Sequence, residues 1–340
     1  MHKKIFLGIL MILTILVVTT GCAETKEQPE EAPELEVHEM TQDYEDAEIS
    51  IATGGTGGVY FPLGGALASI YNSHVPGLRA SAESTGAALA NIDLIRNGEV
   101  EMAFTQNDIT YYAFTGTEMY AEEREPVDNI RGMAVLYPEI IQIVALTDAE
   151  IDTVEDLAGK RVAIGAERSG TEANANHILE AHGLGQEDLG EIHQISFAQA
   201  VLQMRNNEID AAFVTAGLPT SAIEEMAATM DIEIVPIQSD RMSALTDQYP
   251  FYVEVDIPAG TYEGQSEDVR TAAVMAMLVV SSELQERLVY NMTQALFEHR
   301  EYIADIHDRG NDIKLEAALV GMPLDLHPGA ASFYEEHLNR

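Results

Sequence analysis

The sequence predicts an α/β protein of two lobes with a ligand cleft between them, and three observations carry that expectation. Short β-type runs alternate with amphipathic helical segments almost throughout the chain after residue 48, the pattern of mostly parallel sheets covered by helices. The alternation restarts after two neighbouring β-runs, Gly132–Tyr137 and Ile140–Leu146, as expected where a chain passes from one unit into a second. Four β-runs also end in turns rich in Gly, Ser and Thr directly before a helix. Ligands of open α/β sheets sit at that end of the strands.

In the first unit the run Ile49–Ala52 precedes a helix over Phe61–Ser73, Leu78–Ala82 precedes one over Ala87–Asn97, and Met102–Thr105 precedes a short helix from Ile109. The second unit reads Arg161–Ile164, helix Glu172–His182, Ile192–Ser196, helix Phe197–Asn207, Ala211–Thr215, helix Thr220–Met230 and Ile232–Pro236. After Phe251–Asp256, the stretch Thr271–Val280 is apolar enough to be a strand returning to the first unit, and Ser281–His307 reads as one long helix. The terminal "HPGAASFYEEHL" is a last helix, with Pro328 near its start, where a missing N–H is harmless. The lobes are therefore expected at 48–140 with 252–340, and at 141–251, with hinge strands near Tyr137–Leu146 and Phe251–Asp256.

Ahead of the lobes, Lys3 and Lys4 precede an apolar run from Ile5 to Val18, and Thr19-Thr20-Gly21-Cys22 follows with the single cysteine of the chain. That run is shorter than the roughly 20 residues a spanning helix needs and ends in small residues, so residues 1–22 are expected to be a secretion signal ending at an acylated Cys22. The junction resembles a bacterial lipobox, although Thr19 stands where Leu is usual. Residues 23–47 hold Pro29, Pro33 and many Glu with few large apolar groups, the composition of a flexible acidic tether. Two acyl chains on Cys22 would suffice for stable anchoring, which places the expected location outside the cytoplasm, in the periplasm or at the outer face of the membrane.

Eighteen Lys and Arg face 57 Asp and Glu, for a formal net charge of −39. Such a field opposes nucleic acid and acidic lipid headgroups. Only five of the basic residues are Lys, which suits a saline or alkaline exterior, or equally a merely solvated surface. With one cysteine, no disulfide or Cys-ligated metal site is expected in the folded part.

The four turns are Thr53–Gly58, Ser84-Thr85-Gly86, Ser169-Gly170-Thr171 and Thr215-Ala216-Gly217. Each would present backbone N–H groups and a hydroxyl at the positive end of a helix, a ready site for an anion. Singly, such a turn is an ordinary N-cap. Two in each lobe together suggest a cleft for a small carboxylate, with glycines that let backbone approach the ligand without a Cβ in the way. The candidate binding residues are Thr56, Gly57, Ser84, Thr85, Ser169, Gly170, Thr171, Thr215 and Gly217. Tyr60 either lays its ring on the ligand or is a core aromatic. In "FTQNDI", Gln106 and Asn107 can fix ligand polar groups, and Asp108 either meets a ligand amine or caps the following helix.

Nucleotide readings fail. Gly55 and Gly57 lack the third glycine of a dinucleotide fingerprint, and "GAERSGTE" carries Thr171 where a P-loop needs Lys. No Gly-x-Ser-x-Gly elbow occurs, and His177 and His182 are five apart, which does not match the His-Glu-x-x-His spacing. No enzyme, cofactor or metal is expected.

Five ordered blocks carry a resemblance: "IATGGTGGVYFPLGGALA", "STGAALANIDLIRNGEVEMAFTQNDI", "DLAGKRVAIGAERSGTEANA", "IDAAFVTAGLPTSAI" and "HPGAASFY". From about Ile49 to the C-terminus the chain resembles the TAXI-type solute receptors of tripartite ATP-independent periplasmic (TRAP) transporters. The resemblance implies a two-lobe periplasmic-binding-protein fold of class II that closes on glutamate, glutamine or a related small carboxylate. It also implies a monomer that hands its solute to a TRAP membrane permease. A ligand-sensing subunit of a membrane signalling system would use the same cleft. Two positions depart from the family pattern: Ala87, where Gly or Ser is frequent, and Arg168, where Gly is common. Arg168 at the cleft lip either adds a charge for a second ligand carboxylate or points into solvent.

Overall fold

A computed structural model describes residues 40–121 and 126–338. The chain opens with β1 (Ala47–Ala52), α1 (Tyr60–His74), β2 (Leu78–Glu83), α2 (Ala88–Arg96), β3 (Met102–Gln106) and α3 (Asn107–Thr115). Strand β1 pairs in parallel with β2 on one side and β3 on the other. Helix α1 lies close on this sheet because Gly64 brings no Cβ; one placed there would overlap Thr53 Cγ2. The fully buried Asn91 of α2 donates from Nδ2 to the carbonyls of Thr53 and Phe104, at 2.6 and 2.8 Å, and so ties together the ends of β1 and β3.

The next strand, β4 (Ile130–Leu146), joins the lobes as one 17-residue element. Sequence reading divides it at Pro138, but the chain stays extended through that residue. Proline lacks only the ladder donor, and the pairing absorbs the defect as a register shift opposite Met275 and Met277. The second lobe follows as β5 (Arg161–Ala163), α4 (Gly170–Ala181), β6 (Glu191–His193), α5 (Phe197–Arg205), β7 (Ala211–Ala216), α6 (Ser221–Thr229), β8 (Ile232–Val235), α7 (Ser239–Gln248) and β9 (Val253–Ile257). Strand β10 (Val269–Ser281) then returns, pairing through its first half with β9 and through its second with β3. The strand path is β2-β1-β3-β10-β4-β7-β5-β6, with β8 on β4 and β9 on β10. Both long strands therefore belong to both lobes. They are apolar nearly throughout because helices cover both faces.

The chain ends in α8 (Glu286–Glu298), α9 (Arg300–Ile306) and α10 (Pro328–Leu338). The single helix expected over Ser281–His307 is thus two, broken at His299, whose ψ of 20° leaves the helical region. Helix α7 was not legible, since only Met242 and Leu245 of its ten residues are buried. Expected strand Ile192–Ser196 is three residues, Glu191–His193, because Ser196 instead caps α5.

Two expected boundaries move. Segment 252–270 packs on second-lobe elements: the Tyr252 hydroxyl is 2.8 Å from both Asn174 Nδ2 and His177 Nδ1, and Tyr262 meets Gln142 and the Thr220 N–H. The return to the first lobe consequently falls inside β10 rather than at residue 252. At the other end, the tether expected to run to residue 47 is already engaged before that point: Asn291 donates to the Thr41 carbonyl, and the Tyr44 hydroxyl donates to the Pro76 carbonyl at 2.7 Å. Cys22 and the signal segment lie outside the described residues.

Candidate functional site

Between the lobes lies a cavity of about 60 Å³. Its wall is made where the strands end and helices begin, and the first residues of α1, α2, α4 and α5 (Tyr60, Ala88, Gly170 and Phe197) all line it. The first N–H groups of a helix have no intrahelical acceptor, and the four dipoles add positive potential in the same space. Ser169 and Ser196 cap α4 and α5 by accepting from the third helical N–H, of Glu172 and Gln199. That leaves the earlier N–H groups of those helices for the cavity.

Of the residues singled out from sequence, Tyr60, Thr85, Gln106, Ser169, Gly170, Thr171 and Thr215 line the cavity. The other six stand behind or beside it. Thr56 is exposed. Gly57 presses on the second lobe: its carbonyl accepts from Ala222 N at 3.2 Å, and a Cβ there would sit 3.2 Å from Ala198 N. Ser84 donates to the Gly54 carbonyl at 2.9 Å and braces the glycine loop. Asn107 accepts from Met275 N at 3.0 Å, locking α3 to β10. Asp108 is fully buried and accepts from Asn174 Nδ2 at 2.9 Å. Gly217 is packed against Arg309 and the Tyr137 ring. Even Thr85 spends its hydroxyl inside the protein, donating to Asn91 Oδ1 at 2.5 Å and accepting from Ala87 N.

Sequence reading missed Glu139, Ser196 and Phe197, which also line the cavity. A signal for each existed. Glu139 is a lone carboxylate in the apolar run of β4, and Ser196 with Gln199 forms a capping box. The Tyr60 hydroxyl lies 2.7 Å from Glu139 Oε2 and 2.9 Å from the Thr105 carbonyl. Burial pushes the Glu139 carboxyl up to about 8, with the nearby Asp108 adding to the rise, while contacts from Tyr60 and Gln106 oppose it. Asp108 is raised to about 6, again chiefly by burial. Among the described residues, no Lys, Arg or His lines the cavity.

Among the described residues, two buried lining atoms have no protein partner, Gln106 Oε1 and Thr215 Oγ1. The Gln106 orientation follows from its neighbours. Asp108 can only accept when ionised, so Asn174 turns Nδ2 toward it and Oδ1 toward Gln106 Nε2, at 3.2 Å. Gln106 Oε1 is the atom left over.

Several bonds cross the mouth. Besides Gly57 to Ala222, the Arg168 carbonyl accepts from Ala90 N at 3.2 Å, and the Arg168 guanidinium holds Asp93 of α2 at 2.5 and 3.0 Å. Arg168 therefore neither faces the cavity nor stands free in solvent. It reaches the other lobe from a left-handed backbone with φ of 59°, opposite Ala87 with φ of 72°, a conformation that costs non-glycine residues free energy. Arg168 is 45 % exposed, and exposed pairs contribute about 1 kcal/mol or less. Arg168→Ala should accordingly shift the lobes only modestly toward an open form, and less so in high salt. Small-angle scattering across a salt series checks this; a fully opened mutant at all salt concentrations would make the pair the main latch.

The chain matches the NMT1-like family over residues 51–337. Among solved structures, one from Bordetella bronchiseptica RB50 superposes with a TM-score of 0.53 at 17% identity, covering 85% of this chain and 82% of that one. PhnD1 from Prochlorococcus marinus (MIT 9301), solved with methylphosphonate, superposes with a TM-score of 0.52 at 10% identity, covering 78% and 91%. At these identities the likeness concerns the fold, the two-lobe α/β architecture of periplasmic binding proteins. Among the described residues no helix is long and apolar enough to cross a membrane.

Proposed function

We propose, from the premise that this chain belongs to the NMT1-like family, that it is an extracytoplasmic receptor that captures a small carboxylate and delivers it to a membrane permease. One observation carries the reading. The cavity joins four helix N-termini to two buried polar atoms that no protein group satisfies, Gln106 Oε1 and Thr215 Oγ1. Buried polar groups are nearly always paired, and leaving one unmade costs about 1–3 kcal/mol. A ligand that supplies both partners recovers that loss only when both lobes surround it. Binding then favours the closed arrangement to the extent that the ligand contacts it better than the open one.

The five sequence blocks favour a receptor of the TAXI type serving a TRAP permease, with glutamate, glutamine or a related carboxylate as solute. The carboxylate would rest on N–H groups at the starts of α2, α4 and α5, where no cationic side chain is needed. Cys22 would anchor the chain to the membrane through its acyl groups, and no bond of the solute is made or broken.

Native mass spectrometry of the full chain as purified is the test. The expected spectrum shows one small carboxylate bound per chain and a chain that begins at a lipidated Cys22. Thr215→Val should weaken the identified ligand by about tenfold, the loss of one hydrogen bond. No adduct, together with no calorimetric response to a panel of amino acids and dicarboxylates, would remove the receptor reading. An unmodified Cys22 would remove the anchor alone.

A further inference from the structure

Glu139 stands out in the cavity wall. It is 3 % exposed, it lines the cavity, and among the described residues no Lys, Arg or His shares that wall. Its contact with Tyr60 is informative because a phenol has one hydrogen and this hydroxyl has two oxygens within bonding distance, Thr105 O at 2.9 Å and Glu139 Oε2 at 2.7 Å. With Glu139 ionised, Tyr60 must share its single hydrogen between the two oxygens; with Glu139 as the acid, its O–H can donate to Tyr60 while Tyr60 donates to the carbonyl, so that both contacts are full hydrogen bonds. The titratable groups around it reinforce the neutral form. Asp108 from α3 and Tyr137 from its own strand bring no positive charge, and Arg309, which acts on Tyr137, is paired with Asp312 at 2.7 Å. Without a cation the buried acid stays protonated at neutral pH.

The wall is thus divided by chemistry. Helix N-termini offer donors for an anion, while Glu139 and the orphaned Gln106 Oε1 offer acceptors for a donor of the opposite charge. Asn174 and Asp108 hold Gln106 in that orientation from the second and first lobes respectively.

We propose that Glu139 reads the ligand's ammonium group and gives up its proton in doing so, so that capture of an amino acid in this cleft releases one proton for each ligand bound. The inference rests on the reading of the solute as an amino acid. The ammonium keeps its three hydrogens and donates to the new carboxylate and to Gln106 Oε1. The proton lost is the one on Glu139, and it passes to buffer. Tyr60 then turns its hydrogen from Thr105 to Glu139. A dicarboxylate without an amine leaves Glu139 protonated.

Calorimetry on the full chain near pH 7, with L-glutamate and with glutarate in buffers of different ionisation enthalpy, tests this directly. L-glutamate is expected to release close to one proton and glutarate none. E139Q, which keeps shape and hydrogen bonding, should abolish the release and weaken L-glutamate by about ten- to a hundredfold while changing glutarate little. Glutamate binding without proton release, or an E139Q protein that still prefers glutamate over glutarate to the wild-type degree, overturns the proposal. If neither probe binds, the amino-acid reading itself fails. That failure takes the proton release with it, whereas carboxyl carbon-13 resonances of the ligand-free protein, with Glu139 assigned by its loss in E139Q, test the premise separately: an ionised Glu139 at pH 7 overturns the proposal even where L-glutamate binds.

Discussion

Gly170→Ala leaves the protein folded and weakens capture of its solute by about a hundredfold. The added Cβ at this first residue of α4 would overlap the end of the Gln106 side chain, at Oε1 and Cδ. Gln106 is long and can swing aside, so the helix and sheet need not move. The site cannot absorb the change so easily. Displacing the amide breaks its bond to Asn174, drives it into the cavity and removes the acceptor that waits there. Two lost hydrogen bonds, one of them to a charged group, amount to roughly 2–4 kcal/mol, and each 1.4 kcal/mol or so is tenfold in affinity. Calorimetry with the identified ligand, beside circular dichroism to verify the fold, measures it. A folded Gly170→Ala protein with wild-type affinity would take Gln106 and the start of α4 out of the site. Gly57→Val, by contrast, should act on the contact between lobes, since Gly57 touches α5 and α6 rather than the cavity.

The ligand-free protein loses stability as pH rises from about 4.5 to about 8, and E139Q removes much of that loss. Glu139 has its acid form favoured by burial, up to about 8 against an ordinary 4.5. Between those values the folded chain holds a proton that the unfolded chain has released, so stability falls with rising pH and levels off above about 8. Asp108 acts in the same direction over a lower window, from 3.8 to about 6. Every tenfold preference for the acid form is worth about 1.4 kcal/mol, several kcal/mol in sum. General repulsion in so acidic a chain also grows with pH, but it is shared by both proteins and cancels in the comparison. Urea unfolding of wild type and E139Q from about pH 5 to pH 9 should therefore show E139Q gaining on the wild type up to about pH 8 and the two curves running parallel above it. Stability curves parallel over the whole range would mean that Glu139 is ionised in the folded protein.

The division of this protein into alternating strands and helices was legible because periodicity and turn chemistry act over a few residues. Val-, Ile- and Ala-rich runs and the Gly, Ser and Thr turns mark strand ends and helix starts wherever they occur. Ser169 and Ser196 show it most plainly, each capping the helix that its own neighbours begin. Local signals also located four turns that the fold brings to one cavity. They do not reveal which atom of each turn faces inward: Ser84, Asn107 and Thr85 look like ligand groups in sequence, but their polar atoms serve the protein itself.

What tertiary structure alone decided are the pairings between residues far apart in the chain. Arg168 meets Asp93 across 75 positions, and Tyr60 meets Glu139 across 79; no local pattern encodes either. The passage of β4 through Pro138, the helix break at His299 and the packing of segment 252–270 on the second lobe depend likewise on what the neighbouring layers allow. The charge state of Glu139 is the clearest case. A glutamate in sequence is an ordinary acid, and only enclosure without a cation makes it hold its proton.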